Sequence, residues 1–276
     1  MSKIIESIDY FPAGSCSSSL NYLFKGLPRE KIIFPAGVYL FKHREKGYIL
    51  YDTGYSPTMK NFSIKYIIYG LATPVSMKES DRIDRLLKNK GIEPNDISYV
   101  ILSHLHPDHI GGASFFPKAQ FIITKDVFTA YKQGHLRSLI FKELLPNDFE
   151  QRLEIIKPNQ FHSTFPYRET VDLFGDGSVY VASVDGHAVG QACLFLPDYH
   201  LFIGADLSWG IDLLPYTEQM RFFPSLVQEN KDQYLEGIQL LRRLLSDHYR
   251  VLVSHDPEKR VEELIYENRN FFKDIQ

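Results

Sequence analysis

Between residues 103 and 112 the chain reads Ser-His-Leu-His-Pro-Asp-His-Ile-Gly-Gly. His104, His106, Asp108 and His109 bring three imidazoles and one carboxylate within six positions, and all four are donors suited to a divalent metal. By chance, His-x-His-x-Asp-His would arise in a chain of this composition roughly once in a thousand sequences. Without a cation, three protonatable rings held together would repel one another near neutral pH. One turn cannot close two metal sites, so further donors are needed. His187, Asp206 and His255 qualify, because each lies just beyond a strand-like run: Ser178–Val184, Leu201–Ile203 and Arg250–Val253 respectively. Alone, His187 or His255 would read as an ordinary structural histidine. The shared context favours ligands.

Elements that bring such residues together are visible along the chain. Further strand-like runs are Gly37–Lys42, Gly47–Tyr51, Tyr99–Leu102, Gln120–Thr124 and Cys193–Leu196, rich in Val, Ile, Phe and Tyr and bounded by Gly, Pro or Asp. Helical spacing marks Ser80–Lys90, Lys231–Leu245 and, more briefly, Val261 to Tyr266. Strands and helices alternate throughout, which predicts an α/β fold or layered sheets flanked by helices, read here as one domain over 1–276. Two aromatic stretches, Phe62–Met77 and Leu207–Phe223, lack clean periodicity and read either as core or as walls of a ligand cleft.

Composition narrows the function classes. The 276 residues carry a net charge of -3 with no broad basic footprint, which argues against a nucleic-acid partner. Two cysteines are too few for a disulfide framework or a cysteine-rich zinc site. Cys193 reads as a small buried hydrophobe and Cys16 as a loop residue. No run approaches the ~20 apolar residues of a membrane span, and no signal-peptide pattern opens the chain, so the expected location is the cytoplasm.

The sequence resembles the metallo-β-lactamase superfamily, and within it the N-acyl-homoserine lactonase-related hydrolases. The resemblance rests on Asp52-Thr53-Gly54 after a strand, the His104–His109 motif, Gly186-His187, Asp206 and His255, and it covers most of the chain. It implies a four-layer αβ/βα sandwich with metals at one edge of two sheets. It also implies that His104, His106 and His187 bind one metal, that Asp108, His109 and His255 bind a second, and that Asp206 bridges them. Asp52 would stand behind the ligands, a role no better favoured than that of a plain strand-end carboxylate. Two divalent ions are implied, with Zn2+ the default for His and carboxylate donors and Fe, Mn or Co compatible with them. A homodimer is compatible with the resemblance.

Two such metals can share a hydroxide that attacks a lactone or ester carbonyl, with Asp108 orienting the nucleophile and helping to pass a proton to the leaving oxygen. The expected substrate is a small molecule with an apolar portion, met by Tyr66, Tyr69, Trp209 and Tyr216. Related lactonases carry a Tyr three residues past the bridging Asp. This chain has Trp209 there, which has no phenolic oxygen, so Tyr216 or another group would replace it, or the substrate differs. Phosphodiester or thioester hydrolysis, or a non-catalytic metal-bearing regulatory role, are the alternatives.

Overall fold

In the computed structural model, which describes residues 3–61, 64–134 and 138–266, two sheets pack face to face between helices. The first sheet holds β1 (Ile5–Ser19), β2 (Lys31–His43), β3 (Gly47–Tyr51), β4 (Val75–Ser76), β5 (Ile97–Ile101), β6 (Gln120–Thr124) and β7 (Leu153–Ile156) in the order β4-β1-β2-β3-β5-β6-β7. The second holds β8 (Gln160–His162), β9 (Phe165–Asp172), β10 (Tyr180–Val184), β11 (Gln191–Leu196), β12 (Leu201–Ile203) and β13 (Arg250–Leu252) in the order β13-β12-β11-β10-β9-β8. The helices are α1 (Leu20–Leu23), α2 (Ile64–Ala72), α3 (Ile83–Asn89), α4 (Pro107–Ile110), α5 (Lys125–Gln133), α6 (Phe222–Ser225), α7 (Lys231–Ser246) and α8 (Glu258–Ile265).

Period-two alternation decides which side chains face which layer. Tyr39, Phe41, Ile49, Tyr51 and Ile101 point inward to meet Val181, Leu194 and Ile203 of the other sheet. Their neighbours Val38, Leu40, Leu50 and Val100 point outward, into a core shared with Ile83 and Leu87 of α3. On the far side, Ala182, Cys193 and Phe202 pack against Tyr234, Ile238 and Leu241 of α7. The result is the helix–sheet–sheet–helix layering of the αβ/βα sandwich.

Several elements differ from the sequence reading. β1, the longest strand, was not expected, because Pro12, Gly14 and Ser17–Ser19 are turn formers. It is fixed by pairing with β2 from Ile5↔His43 to Ser19↔Lys31, and a register shift between Pro12 and Ser15 absorbs the awkward residues. Cys16 is therefore a buried strand residue and not part of a loop. β7, β8 and β9 were also unread. The Phe62–Met77 stretch becomes α2 and β4, with Phe62 outside the described residues, and Leu207–Phe223 folds largely as a 3-10 turn over Ile211–Gln219. Among the described residues no helix is long and apolar enough to cross a membrane.

Candidate metal centre

Strand register delivers the donors to one edge. The parallel pairing Tyr51↔Ile101 sets the end of β3 beside the end of β5, so Asp52 stands next to the 103–109 turn. The parallel pairing Ile203↔Leu252 does the same for β12 and β13, and Ser254 N then donates to Ala205 O at 2.9 Å. Asp206 and His255 are thereby neighbours. His187 enters from the short link between β10 and β11, which pair antiparallel through Val184↔Gln191. Gly186 before it adopts φ +132, and a Cβ there would lie 2.5 Å from the backbone of Tyr234. Only glycine lets α7 come that close.

The 103–109 turn is pinned just as tightly. Thr53 donates from both its backbone N and its Oγ1 to His109 O, each at 2.8 Å. Gly111 has an ordinary helical φ of -56. Its need for glycine is spatial: an added Cβ would sit 2.6 Å from Gly54 O and from Ser56 N. Gly112 is in a similar position against Thr53 O.

The seven side chains converge in two buried sets, His104, His106 and His187 in one and Asp108, His109, Asp206 and His255 in the other. Asp206 spans them. Its Oδ2 lies 3.3 Å from His187 Nε2 and 3.1 Å from His255 Nε2, and its Oδ1 lies 3.4 Å from His109 Nε2. His187 Nε2 faces His106 Nδ1 at 3.0 Å. Asp108 Oδ2 is 3.7 Å from His109 Nε2 and 3.6 Å from His255 Nε2. Ligand atoms around a tetrahedral zinc at ~2.0–2.1 Å lie roughly 3.3 Å apart, the middle of this range. His104 Nε2, His109 Nε2 and Asp206 Oδ1 are buried without a protein hydrogen-bond partner. Burying such atoms unpaired is costly, and one cation in each donor set would satisfy all three. The residues fit a pair of divalent metals.

The back side of four of the five rings is held as well. His109 Nδ1 bonds Asp52 Oδ2 at 2.8 Å, His187 Nδ1 bonds Gln228 Oε1 at 2.9 Å, and His255 Nδ1 donates to Pro35 O at 2.8 Å. His104 Nδ1 meets Ser103 Oγ at 3.0 Å, and that hydroxyl also donates to Asp52 Oδ2 at 2.8 Å. Such outer partners fix the orientation of metal-binding imidazoles and raise their basicity. Asp52 has φ 63 and Ala205, before Asp206, has φ 45. Both are left-handed positions that a residue with a Cβ adopts at a cost, and both sit beside the ligands.

Protonation separates the two sets. Burial and mutual repulsion hold His104 and His106 well below the usual histidine range, and burial lowers His187 too. A shift in this direction favours the neutral ring, the form whose lone pair a metal requires. His255 behaves oppositely: burial would lower it, but the Asp206 and Asp108 carboxylates push it up to about 9. His109 is raised for the same reason. Burial would raise Asp206, yet facing His255 and His109 keeps its carboxyl well below the ordinary range.

A cavity of about 160 Å³ opens onto the centre, reaching His106, Asp108, His187, Asp206 and His255. Its walls include Tyr69, Trp209, Phe34, Leu23 and the outer Phe223. Trp209 lies edge-on to Phe34, with centroids 6.4 Å apart. Tyr66 and Tyr216 do not line it. Tyr66 turns to Phe141, 4.6 Å between centroids, and Tyr216 to Phe24 at 6.4 Å. Tyr66 and Tyr69, three residues apart on one face of α2, both pack on Phe141, yet only Tyr69 reaches the cavity, and the 3-10 turn around Pro215 carries Tyr216 into the first core. Gln228, Gln191 and Asp256 escaped sequence reading. Gln191 Oε1 accepts from Asp206 N at 3.1 Å, and Asp256 accepts from Val253 N and Ile211 N at 2.9 and 2.8 Å. Only Asp256, directly after His255, carried any local signal.

Residues 34–249 match the model of the metallo-β-lactamase superfamily, and the chain belongs to that family. Among characterised relatives it is similar to the N-acyl homoserine lactonase AiiA of Bacillus thuringiensis subsp. kurstaki, 30% identical over 158 residues covering 55% of this chain and 62% of that protein. It also resembles the N-acyl homoserine lactonase AttM of Rhizobium radiobacter, 27% identical over 201 residues and 67% of each chain. The alignment thus spans under two thirds of AiiA's own length. Solved structures extend the likeness in fold. B. thuringiensis AiiA with N-decanoyl-L-homoserine at its active site superposes with a TM-score of 0.71 at 22% identity, covering 94% of this chain and 96% of that one. A probable metal-dependent hydrolase from Staphylococcus aureus also reaches 0.71, at 16% identity, over 93% and 91% of the two chains.

Proposed function

We propose that this chain is a dinuclear metallohydrolase that opens a lactone or cleaves a related carboxylic ester, with N-acyl-homoserine lactones as the leading substrate class. The observation that carries this reading is the sharing of Asp206 between two buried donor sets at the floor of an apolar-walled cavity. Two divalent cations, most simply zinc, would polarise a carbonyl oxygen there and acidify a water shared between them. The chain's own residues do the rest. Asp52, Gln228 and the Pro35 carbonyl keep His109, His187 and His255 aimed at the centre. Asp108, at the cavity floor, is placed to accept a proton from the attacking water and return it to the leaving oxygen. Trp209, Phe34 and Leu23 receive the apolar portion of the substrate. The similarity to lactonases supports the choice of carbonyl substrate. A cytoplasmic setting, with residues 1–276 as one domain, is compatible with this reading, as is a homodimer.

Ring-opening kinetics on zinc-reconstituted protein test this directly, alongside p-nitrophenyl esters, a thioester and bis-p-nitrophenyl phosphate. The expected result is lactone hydrolysis whose kcat/KM rises with acyl length until the cavity is filled. Each buried methylene contributes ~0.8 kcal/mol, about fourfold. Turnover of the phosphodiester alone would replace the lactonase reading with a phosphodiesterase. No hydrolysis of any substrate, with both metals bound, would leave a binding or regulatory protein.

A further inference from the structure

Tyr69 is a wall of the reaction cavity, together with Asp108, Asp206 and His255. Its ring is only 9% exposed and stands edge-on to Phe141, with centroids 5.7 Å apart. Its hydroxyl lies 3.0 Å from that of Tyr55. Tyr55 is fully buried, and its backbone N donates to Ala13 O at 2.9 Å, so it is a rigid brace behind Tyr69. A phenol has one proton to give and can also accept. Either hydroxyl of the pair can donate; we take Tyr55 as the donor to Tyr69 Oη, which leaves the Tyr69 proton for the cavity. Burial and the Asp108 charge push both hydroxyls well above the ordinary tyrosine range, so both remain protonated donors at neutral pH.

We propose that Tyr69 is a catalytic residue, donating a hydrogen bond from Oη to the substrate carbonyl oxygen as that oxygen gains negative charge. This rests on the hydrolase reading above and adds to it the donor that Trp209 cannot supply as a phenol. No proton is transferred: the Tyr69 O–H bond stays intact, and the hydrogen bond shortens as charge develops. A donor fixed before reaction stabilises the transition state more than the ground state, and removing one such donor typically costs ~10²–10³ in kcat. Trp209 is the competing donor, since it belongs to the same wall and an indole carries one N–H. Tyr69 is preferred because its oxygen is braced from behind by a buried side chain.

Four metal-loaded proteins decide the matter: the unaltered chain, Tyr69→Phe, Tyr55→Phe and Trp209→Phe. Each is assayed for metal content, kcat and KM on one lactone, and inhibition by an alkylboronic acid and by the matching lactam. The boronic acid mimics the tetrahedral state and the lactam the flat ground state. Tyr69→Phe is expected to keep its metals, lose about 100-fold in kcat with KM within about threefold, and bind the boronic acid far more weakly while binding the lactam nearly as before. Tyr55→Phe is expected to lose about tenfold in the same pattern. The proposal is overturned if Tyr69→Phe turns over within twofold of the unaltered chain, or if Trp209→Phe alone shows the loss. It is equally overturned if Tyr69→Phe raises KM and weakens both inhibitors alike, the mark of a mere binding wall. Absence of turnover in the unaltered chain would instead remove the parent reading, and this one with it.

Discussion

Asp206→Ala should leave a folded protein that holds at most one metal and has lost at least about a thousandfold in kcat/KM. The reasoning is geometric. Asp206 faces His187 of one donor set and both His109 and His255 of the other at 3.1–3.4 Å. Removing it unlinks the sets and strips the second of one of its two carboxylates. Loss of a partner that merely orients a ligand typically costs 10–100-fold, and losing the shared ligand itself must cost more. The first set keeps His104, His106 and His187, three imidazole donors, enough to retain one cation weakly. Metal analysis and lactone kinetics on the variant check both halves. Full activity from a metal-free Asp206→Ala protein would refute the mechanism outright.

The second large effect is on stability. Gly111→Ala is expected to cost about 3 kcal/mol, because its methyl would meet Gly54 O and Ser56 N at 2.6 Å and Tyr55 C at 2.7 Å. All three are backbone atoms. They cannot retreat, since a Cβ at Gly54 would itself lie 2.2 Å from the Ala13 methyl and Tyr55 N is bonded to Ala13 O. At ~2–4 °C per kcal/mol for a chain of this size, Tm should fall by roughly 6–12 °C. Metal affinity should drop as well, because the turn carrying His109 is displaced. Gly70→Ala is the control. Nothing lies within 4 Å of its added Cβ, so it should be neutral or stabilise α2 by up to ~1 kcal/mol. Thermal unfolding of the pair settles this, and equal Tm values for the two variants would contradict the packing argument.

How far the residues alone reveal this protein depends on how local the cause is. Sheets flanked by helices were legible because β3, β6 and β12 are short apolar runs with clear bounds, whereas the four-layer order came from the family resemblance, and the candidate donors were legible because each follows a strand end. β1 was hidden because pairing with β2, a tertiary cause, overrides its Pro, Gly and Ser content. The orienting groups were hidden for a similar reason. Gln228 reaches His187 across 41 residues and the Pro35 carbonyl reaches His255 across 220, and no spacing rule connects such pairs. Substrate contacts were the hardest to read. Tyr66 and Tyr69 look alike in sequence and share a helix face against Phe141, yet only Tyr69 reaches the cavity. A backbone carbonyl that aims a ligand leaves no trace in residue type at all.

Anomalous diffraction from crystals of the zinc-reconstituted protein would interrogate the centre most directly. Two peaks are expected, one among His104, His106 and His187 and the other among Asp108, His109 and His255, with Asp206 touching both. A single peak, or two peaks that Asp206 does not join, would contradict a shared dinuclear site.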